Sequence, residues 1–84
     1  MTEAQCNGID LRVGRRVCMT RIFRDRSILD AASHLEVSLL EYAELEEGKR
    51  RFAAAQLMEL SRLFQVNVAM FFGEPAKFDL EDSA

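Results

Sequence analysis

The sequence predicts an all-α fold, a compact bundle of five short helices. Three observations lead there. Apolar residues recur at helical i, i+3 and i+4 spacing, and no stretch alternates as a strand would. Capping residues and glycines cut the chain into segments of helical length. At 84 residues with no repeat and no long linker, there is material for a single small domain.

Each element can be justified in turn. Residues 1–8 are short and polar and read as a disordered N-terminus. Asp10 is placed to cap a first helix running to about Arg24, with Val13, Val17, Cys18 and Ile22 inward. Ser27 is an N-cap for a second helix, about 28–34, whose inward residues are Ile28, Ala31, Ala32 and Leu35. After a tight connection at Glu36-Val37, Ser38 caps a third helix from Leu39 to Glu47, stopped by Gly48. Residues 49–52 form a loop. A fourth helix, about 54–64, carries Leu57, Leu60, Leu63 and Phe64 on one stripe. A turn at Val66-Asn67 leads to a short fifth helix, about 68–72, which Gly73 and Pro75 end. The domain thus spans residues 9–73, and residues 74–84 form an acidic, flexible tail.

Composition narrows the function classes. An apolar content of 49% supplies a core, and a charged content of 30% with net charge −3 suits a soluble protein. No run approaches the ~20 apolar residues of a membrane span, and no signal-peptide pattern opens the chain. Two cysteines, Cys6 and Cys18, are too few for a disulfide scaffold and read as reduced thiols of a cytoplasmic protein. His34 has no neighbouring ligands for a metal. There is no nucleophile–base pair, phosphate loop or metal spacing, so neither an enzyme, a cofactor nor a small-molecule substrate is indicated. Charge is segregated. Arg12, Arg15, Arg16, Arg21, Arg24 and Arg26 face only Asp25 within residues 12–26. Asp30, Glu36, Glu41, Glu44, Glu46 and Glu47 stand without a base within 27–48, and Lys49, Arg50 and Arg51 follow. Such blocks speak about partners rather than fold.

Two short helices joined across His34-Leu35-Glu36-Val37-Ser38, inside a bundle of this length, resemble the Cro-like phage-repressor helix-turn-helix family, also called the XRE family. The resemblance spans about residues 10–73. It rests on Gly14, Arg16, Val17 and Arg21 in the first helix, and on Ser27 and Ala32 in the second. Val37-Ser38 at the turn, Leu45, Glu46 and Gly48, and the closing stretch 57–72 complete it. It implies the lambda-repressor-like helix-turn-helix bundle. It also implies a structural ion pair, Arg21 with Glu46, between the first helix and the end of the third. Such a pair costs about 3–5 kcal/mol to break from one side.

The sequence departs from that family where the family reads DNA. The phosphate-gripping Gln at the start of helix 2 is Ile28, and the exposed positions of helix 3 are Leu39, Leu40, Ala43 and Glu44, with Glu41 beside them. Base readout needs bidentate polar side chains, which these are not. The turn glycine is Glu36, and a core leucine is Ala31. Ile28, Leu29, Leu39, Leu40, Glu41 and Glu44 therefore read as a protein-interaction face. Lys49, Arg50 and Arg51 remain as candidate contacts to DNA backbone, suited to weak, non-specific binding. The leading expectation is a small transcription-regulatory protein acting through a protein partner, such as a DNA-binding regulator, in a homo- or heterodimer. The alternatives are a conventional dimeric DNA-binding regulator and an antitoxin-like partner protein.

Overall fold

The computed structural model describes residues 8–72; the expected N-terminal segment and acidic tail lie outside them. Four α-helices and a closing 3₁₀ helix make up the described chain: α1 (Gly8–Phe23), α2 (Ile28–Leu35), α3 (Leu39–Glu46), α4 (Ala54–Phe64) and the 3₁₀ helix Val68–Phe72. The fifth element is thus a 3₁₀ turn rather than an α-helix, which suits its five-residue length. No strand occurs among the described residues. α1 packs on α3 and on the 3₁₀ helix, α2 on α3 and α4, and α4 on the 3₁₀ helix.

The starts of α2 and α3 are set by serine. Ser27 Oγ accepts the Asp30 N–H at 3.0 Å while the Asp30 carboxylate accepts the Ser27 N–H, a reciprocal capping box. Ser38 Oγ accepts the Glu41 N–H at 3.0 Å. At α4 no side chain of Ala53 can cap, and Gln56 instead reaches back to the Ala53 N–H at 2.8 Å.

The ends share one device. Asp25, Glu36, Gln65 and Gly48 all have positive φ, and the amide that follows each bonds back into the last turn. Gly48 needs its missing side chain twice over: its φ is +80°, and a Cβ there would meet Leu11. Gly14 is a close-approach glycine, since a Cβ would come within 2.8 Å of the Leu45 carbonyl where α1 crosses the end of α3.

The core gathers Val13, Val17, Ala31, Ala32, Tyr42, Leu45, Phe52, Leu57, Leu60, Phe64 and Phe71. Two edge-to-face ring pairs, Tyr42–Phe52 and Phe64–Phe71, each with centroids 6.3 Å apart, stitch α3 to the loop and α4 to the 3₁₀ helix.

Two features of α1 differ from the sequence reading. Gly8 and Ile9 are already helical, so Asp10 is not the cap but a buried residue within α1, bound to Arg51 at 3.0 Å. Ile22 points outward and is 62% exposed. The position that continues the Val13–Val17 row is Arg21, and the helix turns that side chain inward because Glu46 waits there. Ile22, the next residue and so about 100° further round the helix, faces solvent.

Candidate interaction face and its charged border

The α2–turn–α3 unit is positioned by its core residues. Ala31 and Ala32 of α2 and Tyr42 and Leu45 of α3 are buried, which leaves the first residues of both helices at the surface. Leu29 is 60% exposed, Leu39 53% and Leu40 69%. Ile28 is only half-buried, because its side chain packs against the core, so it belongs to the border of that face. Glu41 and Glu44 are also half-buried.

The turn between the helices places Glu36 in the left-handed region, φ 61° and ψ 42°, with the Val37 N–H bonded to the Ala32 carbonyl at 3.0 Å. A non-glycine residue there costs roughly 1–2 kcal/mol.

Behind the face, Arg21 Nε donates to Glu46 Oε2 at 2.7 Å and Nη2 to Oε1 at 3.3 Å, a two-pronged contact in a largely buried setting. Arg21 Nη1 also donates to the Arg26 carbonyl at 2.8 Å, so one guanidinium fixes α3 and the α1–α2 link together. The hydrogen bond to Glu46 raises the Arg21 pKa further. Two groups nearby are held neutral. Burial, then the Glu46 carboxylate, pushes the Cys18 thiol up, and the same two causes push the Tyr42 phenol well up. The Tyr42 hydroxyl lies beside Glu46 without meeting hydrogen-bond geometry.

The basic triplet after α3 is less available than its sequence suggests. Arg50 Nε binds Glu44 Oε1 at 2.7 Å, Lys49 Nζ binds Glu47 Oε1 at 3.2 Å, and Arg51 Nε binds Asp10 Oδ1 at 3.0 Å. Each cation therefore has a carboxylate of its own chain beside it, and Glu44 in turn raises the Arg50 pKa. The Lys49–Glu47 and Arg50–Glu44 pairs lie in solvent and are weakened by it, whereas the Arg51–Asp10 pair ends on a buried carboxylate. They offset the field of the triplet while leaving its side chains free to change partner. Equally, two of the carboxylates on or beside α3 are already matched, so this helix is less acidic in effect than in composition.

Sequence reasoning missed the pairs Glu44–Arg50 and Asp10–Arg51. The first was within reach of inspection, being six residues apart across a glycine stop; the second joins positions 41 apart and has no local signal. His34 pairs with Glu59 of α4 at 3.1 Å at the surface. Among the described residues, no cluster suited to a metal ion occurs and no helix is long and apolar enough to cross a membrane.

No protein-family model and no solved structure matches the chain. Over 70 residues, 83% of its length, the chain is 27% identical to a protein described as an uncharacterized HTH-type transcriptional regulator, y4aM, of Sinorhizobium fredii (strain NBRC 101917 / NGR234). The matched part is 49% of that relative, so the chain spans about half the length of the curated protein it resembles.

Proposed function

We propose that this chain is a transcription-regulatory helix-turn-helix protein that works by gripping another protein through the α2–α3 face, in place of strong sequence-specific reading of DNA. One observation carries the reading. Leu29, Leu39 and Leu40 stand 60%, 53% and 69% exposed at the first turns of the two helices, where base recognition would need polar side chains. Exposed apolar side chains gathered on one unit mark interaction surfaces. The likeness to a protein described as an HTH-type transcriptional regulator supports the regulatory class. The partner that fits is a DNA-binding regulator of basic surface, with Glu36 and Glu41 steering the encounter and the leucines supplying burial.

A second reading has its own observation. Lys49, Arg50 and Arg51 keep 57%, 54% and 70% of their side chains exposed. A conventional dimeric DNA-binding regulator could exchange their weak internal pairs for phosphates.

Titration against genomic DNA fragments at ~50 mM and ~200 mM salt separates the two, because each phosphate contacted contributes a slope of about −0.9. The leading reading expects loose binding with no sequence preference, and tight, selective binding would sink it. Leu40→Arg then weakens capture of a purified partner regulator by about 30-fold or more, the ~2 kcal/mol of an interface hot spot. On the second reading the same change instead alters DNA preference.

A further inference from the structure

α1 turns an apolar side to solvent. At about 100° per residue, Arg12, Arg15, Met19, Ile22 and Phe23 fall within roughly a third of the helix circumference, opposite the buried row of Val13, Val17 and Arg21. All five are exposed, Met19 at 60% and Phe23 at 81%. Met19 and Phe23 also wall, with Val66 and Met70, a groove of about 660 Å³. The side is cationic at its N-terminal end. Among the described residues, no carboxylate pairs with Arg12 or Arg15.

Exposed apolar surface gathered in this way marks an interaction site, and the charges beside it select the mate. Two copies of the α1 side would set Arg12 and Arg15 against one another, so the mate is acidic as well as apolar. The chain carries a surface of that description. Glu44, Glu46 and Glu47 are already matched, by Arg50, Arg21 and Lys49. Glu36 and Glu41 have no such ion pair among the described residues, and they flank the exposed Leu39 and Leu40 along the chain.

We propose that the outward side of α1 docks the α2–α3 face of a second copy of this chain. Leu39 and Leu40 of one copy lie on Met19, Ile22 and Phe23 of the other, and Glu36 and Glu41 lie toward Arg12 and Arg15. This inference rests on the reading of the α2–α3 face as a protein-binding surface and adds what covers that face when no regulator is bound. Because the two patches differ, the contact is head-to-tail. A pair leaves one patch of each kind open, and further copies add as concentration rises. A regulator that takes the α2–α3 face competes with this self-association.

The test follows the mass of the full chain by sedimentation equilibrium from ~10 μM to ~1 mM, the range of a weak surface contact. The average mass is expected to climb with concentration. It should fall back toward the monomer between ~50 mM and ~500 mM salt, which screens exposed charges. Two variants at exposed positions then identify the patches. Met19→Ser/Phe23→Ser spoils only the α1 side, and Leu39→Ser/Leu40→Ser only the α2–α3 face. Each alone is expected to stay monomeric. An equimolar mixture should form a 1:1 pair and nothing larger, because one intact patch of each kind remains, and that pairing also shows that both variants are folded. A parent chain monomeric throughout, an association indifferent to salt, a variant that still associates alone, or a mixture that does not pair would each overturn the proposal. Capture of a purified regulator by the parent chain is measured separately, so self-association can fail while the reading of the α2–α3 face stands.

Discussion

The Arg21–Glu46 contact shows how one residue can settle the orientation of a helix. Its guanidinium takes the inward position that an aliphatic side chain would otherwise hold, and Ile22 is displaced to solvent. Tyr42 sits in the same cluster with its ring fully buried and its hydroxyl beside the Glu46 carboxylate but short of hydrogen-bond geometry. An unsatisfied buried hydroxyl costs about 1–3 kcal/mol. Tyr42→Phe is thus expected to be neutral or to stabilise by up to about 1 kcal/mol at neutral pH, measured by denaturant unfolding. The pH dependence has a definite sign. The folded phenol has a pKa raised above the ordinary 10.0, so its contribution is fully present below that value. It is lost as pH rises toward the folded value, because the unfolded chain ionises first. The parent should lose stability above pH ~10 more steeply than Tyr42→Phe; parallel alkaline limbs would refute this. At this scale the sequence is only partly legible. Arg21 and Glu46 can be paired from the register of a resemblance, whereas the lone Tyr42 hydroxyl and the buried Asp10 depend on three-dimensional neighbours that no spacing reveals.

Among the elements, the ones read most easily from sequence are those closed by local chemistry. Ser27, Ser38 and Gly48 act on backbone groups within four residues of themselves, so their positions fix α2 and α3 to within a residue. α1 is the counter-example. Its first turn is tied down by a carboxylate paired with Arg51 and its inward row includes a guanidinium paired with Glu46, both distant in sequence. The apolar period alone therefore misplaces Ile22. The turn between α2 and α3 offers a direct check. Glu36 holds φ 61° without a glycine's freedom. Glu36→Gly is expected to stabilise by about 1 kcal/mol, a rise of roughly 4–8 °C in Tm for a domain of this size. An unchanged or lower Tm in a thermal scan would show that the turn is relaxed with Glu in place.

For the molecule as a whole, blocks of charge that look unbalanced along the chain are partly balanced in space. The acids of α3 meet the basic triplet, and Asp10 of α1 meets its last member. The outward position of Leu29, Leu39 and Leu40 follows from the sequence pattern, but the ion pairs that border them do not, because neutralisation is a property of proximity. Since the Lys49–Glu47 and Arg50–Glu44 pairs lie in solvent, Lys49→Ala/Arg50→Ala should leave the fold intact with little change in the midpoint of a denaturant titration. A clear fall in that midpoint would make these two cations part of the scaffold. The same long-range ties also set the limits within which this domain can be excised. Asp10 in the first turns of α1 binds Arg51, Arg24 caps the carbonyls that end α4, and Phe71 lies wholly in the core. Trimming past Asp10 would strip Arg51 of its carboxylate, and trimming past Phe71 would remove the ring that packs on Phe64, so a chain shortened at either point is expected to unfold at lower denaturant than one that keeps both residues.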